Sequence, residues 1–201
     1  HWSNHLPAGH PILETVLKPW FSAVATATDG RVKIRFRQSQ WGPPPRQIDI
    51  VEVGVRAASF GALAGQPRRF PVARIVELPF LSGNAEALSL AYWRVYRRHL
   101  AKAGEFGHAT PLALAARTPG AFWAPRKPFT RIDELRGRRI LVLGATPAAI
   151  ATRLGARPLL MPPPLAGDVL KDGRVDGFLG LAGTVRRRGL LPQLKRRLHV
   201  P

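Results

Sequence analysis

The stretch Leu135–Ala145 reads LRGRRILVLGA, and Thr146–Gly177 continues as TPAAIATRLGARPLLMPPPLAGDVLKDGRVDG. Residues 138–143 form a short apolar run entered by two arginines. Gly144 closes it ahead of a helix opened by Thr146, with Pro147 at its first position. Leu154-Gly155 ends that helix, because glycine takes the left-handed conformation after a last turn without steric penalty. Residues 157–161 predict the next buried strand, and Pro162 to Pro164 stop its pairing. A short helix over 165–170 follows, and Asp172-Gly173 turn the chain into Val175-Asp176-Gly177-Phe178. Strands and helices that alternate with almost nothing between them require crossover connections, so a parallel sheet covered by helices is expected.

Working outward toward the C-terminus, Gly180, Gly183 and Gly189 punctuate a tail that holds Arg186-Arg187-Arg188 and Lys195-Arg196-Arg197 without an acidic residue. No structure is assigned to it. Toward the N-terminus, residues 111–116 read as an apolar strand. Asn84 or Ser82 caps a helix running to about Lys102, with Leu88, Ala91, Tyr92, Val95 and Tyr96 on its inner face. Arg94, Arg97, Arg98 and Lys102 fall on one stripe of it, which reads as a solvated face. Residues 71–81 predict a largely buried stretch, residues 55–59 a strand, and 48–53 fits helix and strand alike. Ser59 lies in AASFG, where alanine stands for the first glycine of a nucleophile elbow and no histidine with an acidic partner is signposted, so it reads as structural. Residues 31–36 alternate strictly, which predicts a half-buried strand. The helix begun by Pro11 is expected to kink near Pro19, and residues 2–4 end a first strand.

The 201 residues suffice for one large or two small cores, and no apolar run is long enough to span a bilayer. The chain carries no signal-like segment at His1 and is read as a mature form or a fragment. Thirty-one Lys and Arg against 12 Asp and Glu give a net charge of +19, a field that attracts nucleic acid, anionic lipid or acidic solutes. The even scatter of arginine favours a compositional origin for that excess. Of six histidines, His1 and His5 alone have a helical ligand spacing, and Pro7 and Gly9 keep that stretch from being a helix, so no zinc site is expected. The single glycine at Gly144-Ala145-Thr146 falls short of a dinucleotide fingerprint and suits an anion or carboxylate instead. No cofactor is expected.

Several stretches together resemble a known family. HWSNHLPAGHP at residues 1–11, DGRVKIRF at 29–36, RRFPVARIVELPFLSGNAEA at 68–87, KPFTRIDELRG at 127–137, and the order LRGRRI, LGA, MPPP and GRVDG are similar to solute-binding proteins of TRAP (tripartite ATP-independent periplasmic) transporters, DctP type. The resemblance covers residues 1 to about 177. It implies an α/β, two-lobed periplasmic-binding-protein-like (type II) fold with mixed or parallel sheets and an incomplete second lobe. The lobes would be 1–112 and 113–180, with 181–201 a basic tail; residues 48–53 would be a helix and 111–116 the crossover. It implies capture of a small organic acid, a dicarboxylate or related carboxylate, for a membrane permease. It implies no covalent chemistry, and a periplasmic monomer for which nucleic acid is not the expected partner.

The resemblance also supplies a site. The cleft would be lined by strand ends near Asn4, Ser59 and Gly144, with His5, Trp123, Met161 and Arg117 beside them. The family's hallmark arginine, whose planar fork binds a carboxylate, matches Leu141 here. Leu141 is therefore expected to face the ligand without charge, with Arg139 or Arg117 as substitute cations and Leu141→Arg as a gain of affinity. Two alternatives stand beside this reading: a cationic module for nucleic acid or anionic membrane, and a remnant that binds nothing.

Overall fold

In the computed structural model, which describes residues 1–36, 42–63, 66–78, 81–194 and 196–199, the chain divides into two units. Unit 1 comprises His1–Ile75 and Tyr96–Ala113; unit 2 comprises Val76–Val95 and the chain from Leu114 onward.

Unit 1 is built on β1 (Trp2–Asn4). The helix begun at Pro11 has to accommodate Pro19, which has no N–H to give the carbonyl of Thr15. It does so by widening into a π turn over Leu13–Leu17, where the Lys18 N–H reaches Leu13 O, before α1 (Lys18–Ala27) continues. The sequence places a kink near Pro19; the structure has this widened turn just before it. Residues 48–53 resolve as helix, α2 (Gln47–Glu52), and β2 (Ala58–Phe60) then pairs in parallel with β1, Ser3 opposite Ser59. Trp2, Leu6, Leu13, Leu17 and Phe21 form the core, with Trp2 edge-on to Phe21 at 5.0 Å. The alternation at 31–36 does not produce a strand: β1 is three residues long and offers a partner only to Phe36, while Val32 is 46% exposed. Strand state is set by pairing, which periodicity alone does not supply.

Residues 71–81 also depart from expectation. The Glu105 carboxylate accepts the Val72 and Ala73 N–H groups (2.6 and 2.7 Å) and holds a short 3₁₀ turn, Ala73–Glu77, that buries Ala73 but exposes Val72, Ile75, Leu78 and Leu81. Pro79 and Phe80 lie outside the described residues.

Asn84 caps α3 (Ala85–Val95), its Oδ1 accepting the Glu86 and Ala87 N–H groups at 2.9 and 3.0 Å. The chain continues as a π turn, Tyr96–Leu100. Tyr92 and Tyr96 are buried, but Ala91 and Val95 are exposed, so the inner face is narrower than its spacing suggests. Residues 111–116 form no strand; the Ala116 N–H donates to Ser89 Oγ instead.

Unit 2 contains a five-stranded mixed sheet of β3 (Ala121–Ala124), β4 (Arg139–Val142), β5 (Arg157–Leu160), β6 (Gly177–Gly180) and β7 (Arg196–His199), in the order β5-β4-β6-β3-β7. β4 is parallel to β5 and β6; β3 runs against β6 and β7. Successive side chains point to opposite faces, so Ile140 and Val142 join Phe122, Ala124 and Leu135 on one side, covered by α4 (Ala145–Arg153). Leu141, Trp123 and Phe178 lie on the other side under α5 (Ala166–Lys171) and α6 (Ala182–Arg187). α4 begins at Ala145 with Gly144 as its N-cap, which moves Pro147 to the third position, still within the turn whose N–H groups have no helical acceptor. Gly155 (φ 78°) terminates it in the left-handed region, as read. Gly177 is required by close approach: a Cβ there would stand 2.8 Å from both the Phe129 ring and Trp123 O.

Two further readings are corrected. β5 is the outer strand and mostly exposed, not buried, which also explains how it tolerates Pro158. The tail is not a separate element. α6 covers the sheet, and β7 supplies backbone partners to β3, which would otherwise be a bare edge. With residues 76–95 also assigned to unit 2, the limits read as 1–112, 113–180 and a tail are replaced at those places.

Candidate functional site

The unit 1 residues singled out by sequence gather at the ends of β1 and β2. Asn4 is buried and turned back on its own chain, its Oδ1 accepting the Leu6 N–H at 2.6 Å. His5 stacks on Phe60 (5.9 Å, 17°), with Nδ1 3.3 Å from Phe60 O. Ser59 sits half-buried opposite Ser3. Sequence reasoning missed the polar seam behind them: Ser3 Oγ donates to Gln47 Oε1 at 2.8 Å, and Gln47 Nε2 donates to Gly42 O at 2.8 Å, with Ser3 and Gln47 both buried. Nothing in the residue pattern marks Gln47 as internal.

In unit 2, Trp123, Leu141 and Met161 come together on one face of the sheet, inside the apolar cluster with Ala166, Val169 and Phe178. Leu141 is 0% exposed, packed as core rather than presented to a ligand. Trp123 spends its indole N–H on Gly180 O at 2.9 Å. Arg139 is no substitute cation, because Asp176 already engages it: Nε and Nη2 donate to the two carboxylate oxygens at 3.3 and 3.0 Å, and the Arg139 N–H donates to Oδ2 at 2.8 Å. The Arg139 side-chain hydrogen bond, ahead of any other influence, holds the Asp176 carboxyl below the usual carboxylate range. Gly144, extended and half-buried, caps α4.

A cavity of unit 2 lies at the margin of that cluster. It has a volume of about 390 Å³ and is lined by Gly83, Thr118, Pro119, Ala121, Ala182, Gly183 and Arg186. Ala121 and Ala182 belong to both cluster and cavity. Arg187 reaches back over the cavity wall, since a Cβ on Gly183 would meet its Nη1 at 3.2 Å. Arg117 adjoins it one residue before Thr118. Desolvation first, and then the like charge of Arg187, lower the pKa of its guanidinium. Among the described residues none of Arg117, Arg186 and Arg187 has an acidic partner. Sequence reasoning found Arg117 and missed Arg186 and Thr118; the available signal was the acid-free run of arginines at 186–188. The described residues contain no cluster of histidines and acids that would hold a metal, and no helix long and apolar enough to cross a membrane.

Known proteins resemble this chain along most of its length. The sequence pattern of DctP, bacterial extracellular solute-binding protein, family 7, matches residues 2–190. The outer membrane transporter protein TsaT of Comamonas testosteroni is 32% identical over 174 residues, 85% of this chain and 51% of TsaT. A TRAP periplasmic solute-binding protein of Bordetella bronchiseptica, solved with (R)- and (S)-mandelate, is 30% identical and superposes with a TM-score of 0.79 over 96% of this chain and 61% of its own. One from Rhodoferax ferrireducens, solved with copurified benzoate, is 25% identical with a TM-score of 0.76 over 96% and 60%. The chain thus spans about half the length of the curated relative.

Proposed function

We propose, from the premise that this chain belongs to the DctP family, family 7 of the bacterial extracellular solute-binding proteins, that it captures a small organic acid outside the cytoplasm and passes it to a TRAP membrane permease. It does so as a monomer, by binding alone, without a cofactor. The observation that carries the ligand class is the likeness, at 30% identity over 96% of the chain, to a protein holding mandelate, supported by one holding benzoate.

The chemistry of unit 2 agrees with an aromatic monocarboxylate better than with the dicarboxylate expected from the resemblance. A dicarboxylate needs two separated cationic anchors. Here the family's arginine position is a buried leucine, and the cavity wall is alanine, proline and glycine apart from Thr118 and Arg186. Apolar walls with one charged end suit a ring bearing one carboxylate.

Thermal denaturation with benzoate, (R)-mandelate, succinate and glucuronate tests this. Saturation at a hundredfold over Kd stabilises by about 2.7 kcal/mol. That corresponds to roughly 5–11 °C for a chain of this size. The aromatic acids are expected to produce such a shift and succinate none. A shift with succinate alone would replace the ligand class, and no shift with any acid would remove the function.

A further inference from the structure

We infer that Arg186, flanked by Arg117 and Arg187, is the carboxylate anchor of this chain, occupying in the α6 cavity the role that a buried leucine at 141 does not fill. The inference rests on the organic-acid reading and adds to it the residue that fixes the ligand and the end of the ligand it holds.

Three observations converge. First, the cavity is of a size that takes a small ligand, about 390 Å³, and Arg186 is the charged group among its lining residues, with the Thr118 hydroxyl as a second polar contact. A guanidinium presents a planar fork that matches a carboxylate bidentately, and a hydroxyl supplies one further donor. Second, the positive charge here is uncompensated. The described acids of unit 2 that form ion pairs do so elsewhere, with Arg131, Arg139 and Arg174, while Arg117, Arg186 and Arg187 have no such partner among the described residues. Arg187 acts on Arg117 as a like charge and reaches Gly183 of the lining, so an anion entering beside Arg186 is favoured by the local field. Third, the remaining lining is small and apolar: Pro119, Ala121, Ala182, Gly183 and Gly83. The body of the ligand therefore carries few hydroxyls, because each would be left without a partner against those walls.

The ligand class that fits is a monocarboxylate with a compact apolar body, and a sugar acid does not fit. α6 places the anchor. It follows β6, the strand that pairs with β4, and its Val185 packs in the same cluster as Leu141, so the charge lies at the margin of the face that Leu141 occupies.

The test is calorimetric titration of benzoate, (R)-mandelate and glucuronate into the purified chain and into Arg186→Gln, Arg186→Lys, Thr118→Val and Arg97→Gln. Arg97 is exposed on the π turn that follows α3, so its variant removes the same charge far along the chain and reports the general field alone. Arg186→Gln is expected to weaken the aromatic acids at least tenfold, Arg186→Lys to recover part of that loss, and Thr118→Val to weaken them by a smaller factor. Arg97→Gln should change them less than twofold. Unchanged binding in Arg186→Gln with wild-type binding intact would overturn the anchor and leave the organic-acid reading standing. Equal losses in Arg186→Gln and Arg97→Gln would reduce the effect to net charge and also overturn it. A wild-type chain that binds none of the acids would overturn both.

Discussion

Leu141 is the position at which the family resemblance and the structure disagree most sharply, and its substitution separates them. The side chain is 0% exposed in the middle of β4, with Leu159 of β5 and Phe178 of β6 as its in-register neighbours and Ala166 and Val169 of α5 above it. Removing three carbons from such a site loses their transfer free energy and leaves a cavity that a strand paired on both sides cannot collapse into, so Leu141→Ala should cost about 3 kcal/mol. For a chain near 200 residues this lowers Tm by roughly 6–12 °C. Leu141→Arg puts an unpaired charge in the same place, and a loss of about 4 kcal/mol or more follows. Urea denaturation followed by tryptophan fluorescence reads both, since Trp123 lies in the same cluster. The expected outcome is the reverse of the gain in affinity that the sequence alone suggests. An Leu141→Arg protein with a wild-type urea midpoint and tighter benzoate binding would refute the placement of this residue in the core, and with it the relocation of the anchor to α6.

Two further outcomes follow from the sheet. Asp176 has a folded-state pKa depressed by Arg139, so its contribution is present above its unfolded pKa of about 4 and is lost as pH falls through the lower folded value. Urea midpoints between pH 5 and pH 2 should therefore fall less steeply for Asp176→Asn than for wild type, and parallel curves would dissolve the link. Gly177→Ala places a methyl 2.8 Å from the Phe129 ring and from Trp123 O, and a loss of about 1–3 kcal/mol is expected because a carbonyl oxygen cannot rotate away as a flexible side chain does. A wild-type Tm for that variant would mean that β3 and β6 have more room between them than the structure gives.

How much of the fold was legible depends on which elements carry their own determinants. The run from β4 to β6 did, because each boundary is marked by a residue with a single backbone preference, such as Gly155 at φ 78° after α4. The strands that were misjudged are the ones decided by a partner. Residues 31–36 have ideal alternation and remain unpaired except at Phe36, whereas Arg196–His199 have no strand signature and form β7 because β3 exposes an edge beside them. Charged residues are tolerated on an outer strand, so the basic character that argued against structure there is compatible with it. Residues 71–81 were misread for a third reason: a distant carboxylate, Glu105, turns an apolar segment outward by capturing two of its N–H groups.

The site was legible only in part, for a related reason. A net charge of +19 says nothing about which cations are paired, and pairing is what distinguishes a structural arginine from a ligand-binding one. Arg139 and Arg186 look alike in sequence, each beside further arginines at the margin of a sheet strand or helix. Folding brings Asp176 onto Arg139, through both the side chain and the backbone, and converts it into a clip between β4 and the turn before β6. It brings Arg187 within electrostatic reach of Arg117 instead, beside the cavity that Arg186 lines. The first arrangement is already satisfied and gains nothing from an added anion; the second is relieved by one. An acid that binds this chain should accordingly stabilise unit 2 more in low salt than in high salt, since partly exposed like charges are screened over about 8–10 Å at physiological ionic strength. The salt dependence should be shallow, because one carboxylate is captured rather than a row of phosphates, and a steep dependence would indicate a polyanion as the true occupant.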